Sequence, residues 1–350
     1  MPGGIEVPLE LAAAWQTNAF PHGTHSPPTL TLVSIIFGIL ALVVVSARLY
    51  DRCVVRRNAG VDDILVAVSM IPTLGLCVLM CLAEKLYGFD RHAWDGAQVV
   101  LSVCILYLLS SCLTKVSILY FYRRVGEIKN WFRLTIWVNI GFIVSFTVAF
   151  SIGLFLECRP LYAYWNVVNP LWRMSHEYHC VDEGAKVLSA CAISVFHDFV
   201  VCILPMTLFW DLHISRRAKL ALMLIFSLGF LTCACGIART VKTYYVYYET
   251  YDSTWAARPA FAITIIESCL SVICGSLPAL KNSLQQCFHC LIHSSTLRSR
   301  RTNRWWKKPF FRSAQLSFQD IYSLQGIEKA TRRPAPGVKA PRNSLAFATT

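Results

Sequence analysis

Residues 187–210 read VLSACAISVFHDFVVCILPMTLFW, and this stretch decides the fold class. At about 1.5 Å per residue it is long enough to cross a hydrocarbon layer about 30 Å thick. Its one formal charge, Asp198, sits near the middle. Six further stretches have the same character, at about 29–49, 64–83, 97–122, 134–156, 220–239 and 259–280. Charges inside them are few: Arg48 at the end of the first, Lys115 in the third, Arg239 at the end of the sixth and Glu267 in the seventh. Seven apolar runs joined by short basic or polar connectors are hard to place in a soluble core. The sequence therefore predicts an all-α, seven-transmembrane-helix bundle. The composition agrees: 15% of residues are charged, where soluble proteins have about 25%.

The net charge of +13 admits nucleic acid, a membrane surface or cytoplasmic loops as its cause. Its distribution chooses among them. Residues 281–350 hold thirteen Lys and Arg against only Asp320 and Glu328, so nearly all of the excess lies there. Connectors one, three and five carry eleven Lys and Arg, against eight in the others. Positive segments stay cytoplasmic. The expected organisation is an extracellular segment 1–28, a seven-helix domain 29–281 and a basic, largely disordered cytoplasmic tail 282–350. The lipid bilayer is the first partner, anionic headgroups at the tail the second, and nucleic acid is not expected. The plasma membrane is the expected location, with an internal membrane as the alternative.

Ionisable groups at membrane depth are costly unless paired or hydrated. Asp198 is the deepest, roughly 17 Å into its span at helical rise, with His197 beside it. Lys115 lies in the inner third of the third span, where its long stem can reach inward. A bundle interior can pair Asp198 with Lys115 and Glu267 with Arg239. These residues are candidates either for holding a ligand or for fixing helix register. Nothing in their spacing marks a catalytic centre, and enzymatic activity is less expected than not.

Cys158 and Cys180 share the long fourth connector, on the side where oxidation is favoured. A bridge there closes a loop of about 23 residues and contributes roughly 3 kcal/mol. Cys287 and Cys290, just past the last span, are candidates for palmitoylation. With His289 and His293 they offer four potential zinc ligands, but the second half of a finger is missing and no metal is expected. The seventh span has no lysine to form a retinal Schiff base, so no cofactor is expected. Phosphate-cradling loops, nucleophile elbows and matching broken helices are also missing.

Several motifs together resemble the fungal rhodopsin-like integral membrane protein family, which includes secondary-metabolite cluster proteins and Pth-type receptors. Arg48 and Tyr50, then Gly60, Asp62 and Asp63, resemble its first connector. The run Thr114–Arg123 resembles its third helix, and Cys158, Pro160, Trp165 and Cys180 its outer loop. Asp198, Pro205, Trp210 and Lys219 resemble the fifth helix and the loop after it. Gly229 and Arg239 match the sixth helix, and Glu267 with Pro278 the seventh. At Lys85–His92 the chain departs from the family, keeping only Gly88 and His92 of a Gly- and His-containing stretch. The resemblance implies seven helices without retinal. The function expected is receptor-like sensing of an extracellular or lipophilic ligand, coupled to a cytoplasmic signalling partner. The alternative is transport or catalysis on an apolar intermediate of a secondary-metabolite pathway.

Overall fold

The computed structural model describes residues 28–85, 97–125, 130–160, 162–166, 172, 175–209, 216–250 and 253–297. Side chains at 97–99, 125, 165, 207–209, 216–222, 224–225, 253–255 and 281–297 are excepted. Seven long helices run through them: α1 Thr29–Tyr50, α2 Val61–Lys85, α3 Ala97–Val125, α4 Asn130–Phe155, α5 Glu183–Phe209, α6 Arg216–Tyr248 and α7 Ser253–Leu297. A π-helical turn, Asp51–Val55, extends α1. Between α4 and α5, strand β1 (Cys158–Arg159) pairs antiparallel with β2 (His179–Cys180), and a disulfide joins Cys158 to Cys180.

Six of the seven helices are long and apolar enough to cross a membrane, among them α5 over Glu183–Met206 and α7 over Ala256–Leu280. α6 is not one of the six, and much of its first turns lies outside the described side chains. It also runs on to Tyr248, so Arg239 lies more than two turns inside the helix rather than at its end.

The helices are apolar on the outside. Leu32, Ile36, Ile39 and Val43 of α1 are exposed, as are Leu134, Val138, Val148 and Ile152 of α4. Ser34, Ser69, Thr73, Ser110, Ser117 and Ser276 are buried. In water such a surface would be an aggregation liability. In lipid it is the low-energy choice, because tails solvate Leu and Ile while small polar residues let helices approach closely. The Thr73 and Ser110 hydroxyls, 2.7 Å apart, tie α2 to α3 in this way.

Two apolar cores follow from the packing. One gathers Ala41, Val66, Leu76, Met80, Val103, Ile265 and Val272 from α1, α2, α3 and α7. The other gathers Leu119, Ile136, Ile143 and Leu204 from α3, α4 and α5. At one end, the Glu84 carboxylate accepts the Thr31 N–H at 2.8 Å and the Leu30 N–H at 3.4 Å. It also pairs with Arg258 at 3.1 Å. An acid at a helix N-terminus satisfies free amides and matches the dipole, so one side chain of α2 fastens the starts of α1 and α7.

Candidate functional site

The middle of the bundle holds a chain of buried polar groups drawn from four helices. On α3, Tyr107 and Lys115 are about two turns apart and share a face. On α5, Cys191, Ser194 and Asp198 recur at spacings of three and four, which also gives one face. Arg239 of α6 and Glu267 of α7 complete the set.

Lys115 Nζ lies 2.9 Å from Asp198 Oδ1. It also donates to Ser194 Oγ at 3.1 Å and to the Ser194 carbonyl at 3.2 Å. Ser194 Oγ is 3.2 Å from the Tyr107 hydroxyl, and that hydroxyl donates to Glu267 Oε1 at 2.6 Å. Arg239 Nε donates to Glu267 Oε2 at 2.8 Å, Nη2 to the Tyr107 oxygen at 2.7 Å and Nη1 to Cys191 Sγ at 3.2 Å. The guanidinium also lies 4.4 Å from the Tyr107 ring centroid, a cation–π contact.

Two cations face two carboxylates, so the chain is neutral as a whole, and the cost of burying each charge is offset by pairing. Gly236 of α6 sits against it: a Cβ there would stand 3.8 Å from Glu267 Oε2 and 3.9 Å from Asp198 Oδ2, but only 2.9 Å from Val195 Cγ2. Its lack of a side chain lets α6 pack closely against Val195 of α5, beside both acids.

Beneath the Lys115–Asp198 pair is a cavity of about 50 Å³, lined also by Pro205, Gly229, Ser271 and Pro278. That is room for a few water molecules. Proline removes a backbone donor in α5 and in α7 near this space, and Gly229 lets α6 pack closely on α5, since a Cβ there would stand 2.7 Å from Cys202 Sγ. The Lys115–Asp198 pair lines this cavity and so has space beside it to rearrange.

A second network closes the other end of α1. Arg48 is fully buried, and all three of its nitrogens are engaged. Nε meets Asp63 Oδ1 at 2.9 Å, Nη2 meets Asp62 Oδ2 at 2.7 Å, and Nη1 donates to the Gly275 carbonyl at 2.7 Å. Arg124 of α3 adds a contact to Asp62 Oδ1 at 3.3 Å and to Asn58 Oδ1 at 2.6 Å. The Gly60 N–H donates to Asp63 Oδ2 at 3.0 Å. A Cβ on Gly60 would meet Asp62 Oδ1 at 2.5 Å and Arg124 Nη1 at 2.6 Å, so the position has no room for one.

The structure thus brings Lys115, Asp198, Glu267 and Arg239 together. His197 turns away from Asp198 and stacks on Phe142 of α4 with ring centroids 5.6 Å apart. Pro205, Gly229 and Pro278 line the cavity. Arg123 lies over the Trp137 and Tyr120 rings at 5.2 and 5.8 Å, and Tyr50 is exposed. Pro160 follows β1. Trp210 and the Lys85–His92 stretch beyond Lys85 lie outside the described residues, as do the side chains of Trp165, Lys219, Cys287 and Cys290. Sequence reasoning missed Tyr107 and Ser194, the neutral groups that join the two ion pairs. A weak signal existed in their position on the faces that carry Lys115 and Asp198.

Comparison with known proteins gives a consistent result. The fungal rhodopsin domain matches residues 47–286. A wortmanamides biosynthesis cluster protein C of Talaromyces wortmannii is 26% identical over 260 residues, covering 70% of this chain and 67% of its own length. A receptor, GIN3, of Arthrobotrys oligospora is 24% identical over 270 residues, covering 75% and 63%. A polyenoic acids biosynthesis gene cluster protein, Ba17b, of Metarhizium anisopliae is 22% identical over 227 residues, covering 62% and 60%. The chain spans about three fifths to two thirds of the length of these curated relatives. No solved structure matches it.

Proposed function

This chain belongs to the fungal rhodopsin domain family of multi-pass membrane proteins, and we propose that it is a receptor-like, non-photoactive member that senses an extracellular or lipophilic ligand. The observation that carries the proposal is the buried chain from Arg239 and Glu267 through Tyr107 and Ser194 to Lys115 and Asp198. It ties α3, α5, α6 and α7 together and ends on a cavity. A ligand that draws on one of these charges alters the partners left to the others, which is how a local contact reaches several helices. The receptor among the relatives favours this reading. In the proposed topology α6 also crosses the membrane, as the sixth of seven spans, residues 1–28 are extracellular, and residues 282–350 form the cytoplasmic tail. The tail lies on anionic headgroups, and the plasma membrane is the expected site.

A second reading, transport or catalysis on an apolar pathway intermediate, is favoured by the relatives named for biosynthesis clusters. Deletion of the gene in its host, with metabolite profiling and add-back of culture extract, separates the two. A receptor leaves the metabolite profile intact and abolishes the transcriptional response to extract. A pathway component accumulates an intermediate that extract does not clear. If Asp198→Asn and Lys115→Met proteins express and restore every wild-type behaviour of the deletion strain, neither reading of those residues survives.

A further inference from the structure

The disulfide-bearing end of the bundle holds another buried cluster, and its charges do not balance. Glu157, next to the β1 cysteine, is 1% exposed, and Glu183, the first residue of α5, is 2% exposed. Lys186 pairs with Glu157 and donates to the Gly153 carbonyl at 3.2 Å. Glu183 lies one turn before Lys186 on the same face of α5. Its Oε1 accepts the Tyr164 hydroxyl at 3.3 Å and the Tyr247 hydroxyl of α6 at 3.1 Å. Glu157 Oε2 and Glu183 Oε2 are buried and accept no hydrogen bond.

Among the described residues, Lys186 is the one cation bonded to either carboxylate. Cys104 of α3 is within electrostatic reach of both acids and adds no positive charge. Asp182, one residue before Glu183, is exposed and accepts the Ala185 N–H at the start of α5. Among the described residues, two buried carboxylates thus face one ammonium, an imbalance of charge that proteins avoid. A proton is the smallest neutraliser, and the two unbonded oxygens are where it can reside.

We propose that Glu157 and Glu183 form a proton-binding site, in which one carboxyl is protonated at neutral pH and loses its proton under alkaline conditions. Release restores repulsion between the segment that carries Glu157 and the start of α5. It also disturbs Tyr247, about two turns along α6 from Arg239. Burial pushes the Glu157 carboxyl up, with Lys186 pulling against it. A raised acid binds its proton more tightly in the folded protein. Its contribution to stability is therefore complete below the ordinary carboxylate range and is lost as pH rises through the raised value.

The test uses full-length protein in phosphatidylcholine nanodiscs with a chelator, at constant ionic strength. From about pH 5.5 to about pH 8.5 the wild-type unfolding midpoint should fall by about 2–4 °C. Glu157→Gln and Glu183→Gln should flatten that slope, while Glu177→Gln, at an exposed acid of the same segment, should keep it. Infrared difference spectra should show a protonated-carboxyl stretch that either Gln variant removes, a readout available on whichever variant folds. A flat wild-type profile, a slope unchanged in both Gln variants, or recovery of the alkaline midpoint by calcium would overturn the proposal, the last in favour of a cation site.

Discussion

Arg48 and Lys115 are both buried cations paired with aspartate, yet the two sites are built differently. Arg48 spends its whole fork: two carboxylates and one carbonyl from α2 and α7 take all three nitrogens. Gly60 and Arg124 then fill the space around the acids. Lys115 is a point charge with one carboxylate and one serine, and it borders a cavity. A saturated planar fork fixes geometry, whereas an ammonium with rotatable donors and room beside it can change partners. The first site reads as a clamp and the second as a place where rearrangement is cheap.

The largest expected effect comes from breaking the clamp. Arg48→Ala leaves Asp62 and Asp63 buried without their cation, at a cost of about 3–5 kcal/mol, so size-exclusion chromatography should recover little monodisperse protein. Arg48→Lys should rescue poorly, because a lysine cannot reproduce the fork. Next comes the pair at the cavity. Asp198→Asn should destabilise by about 2–4 kcal/mol, yet combination with Lys115→Met should recover most of it, with a coupling of about 1–3 kcal/mol in thermal unfolding. A clamp-like absence of recovery would erase the contrast between the two sites.

The glycines sharpen it further. Gly60→Ala should cost about 1–3 kcal/mol by displacing Asp62 or Arg124. Gly141→Ala on α4, where a Cβ meets nothing within 4 Å, should be neutral or stabilise by up to about 1 kcal/mol. The smallest loss is Tyr107→Phe, about 1–2 kcal/mol for a hydroxyl shared between Glu267 and Arg239. It should also weaken the coupling between Asp198→Asn and Glu267→Gln in a double-mutant cycle, because Tyr107 and Ser194 carry the link.

The sequence displays the membrane-spanning runs because the penalty for a charge in lipid is local and needs no knowledge of neighbours. The two ion pairs of the middle chain were legible for a related reason. A lone charge inside a span must find its partner on another helix, and spans three, five, six and seven offer two acids and two bases. Tyr107 and Ser194 left little trace, since neutral polar groups are cheap in a helix whose neighbours accept their bonds. Arg239 was placed at a helix end because charge-free runs stop at the first charge, whereas the helix continues through Tyr244 to Tyr248. Glu157 and Glu183 were invisible for the opposite reason. They sit in or beside a connector that looks solvated, and only the folding of the hairpin and of Tyr164 and Tyr247 around them removes the water.

The first helix is tied to the last one at both ends, directly where Arg48 reaches the Gly275 carbonyl and through α2 where Glu84, which holds the start of α1, pairs with Arg258. During synthesis those partners emerge last. Until the closing helix arrives, Glu84 lacks its cation and one Arg48 N–H lacks its carbonyl, so assembly finishes by sealing a ring rather than by extending a row. A chain cut between α6 and α7 and co-expressed as two pieces should reassemble, while the first piece alone should be retained and degraded as an unfinished product.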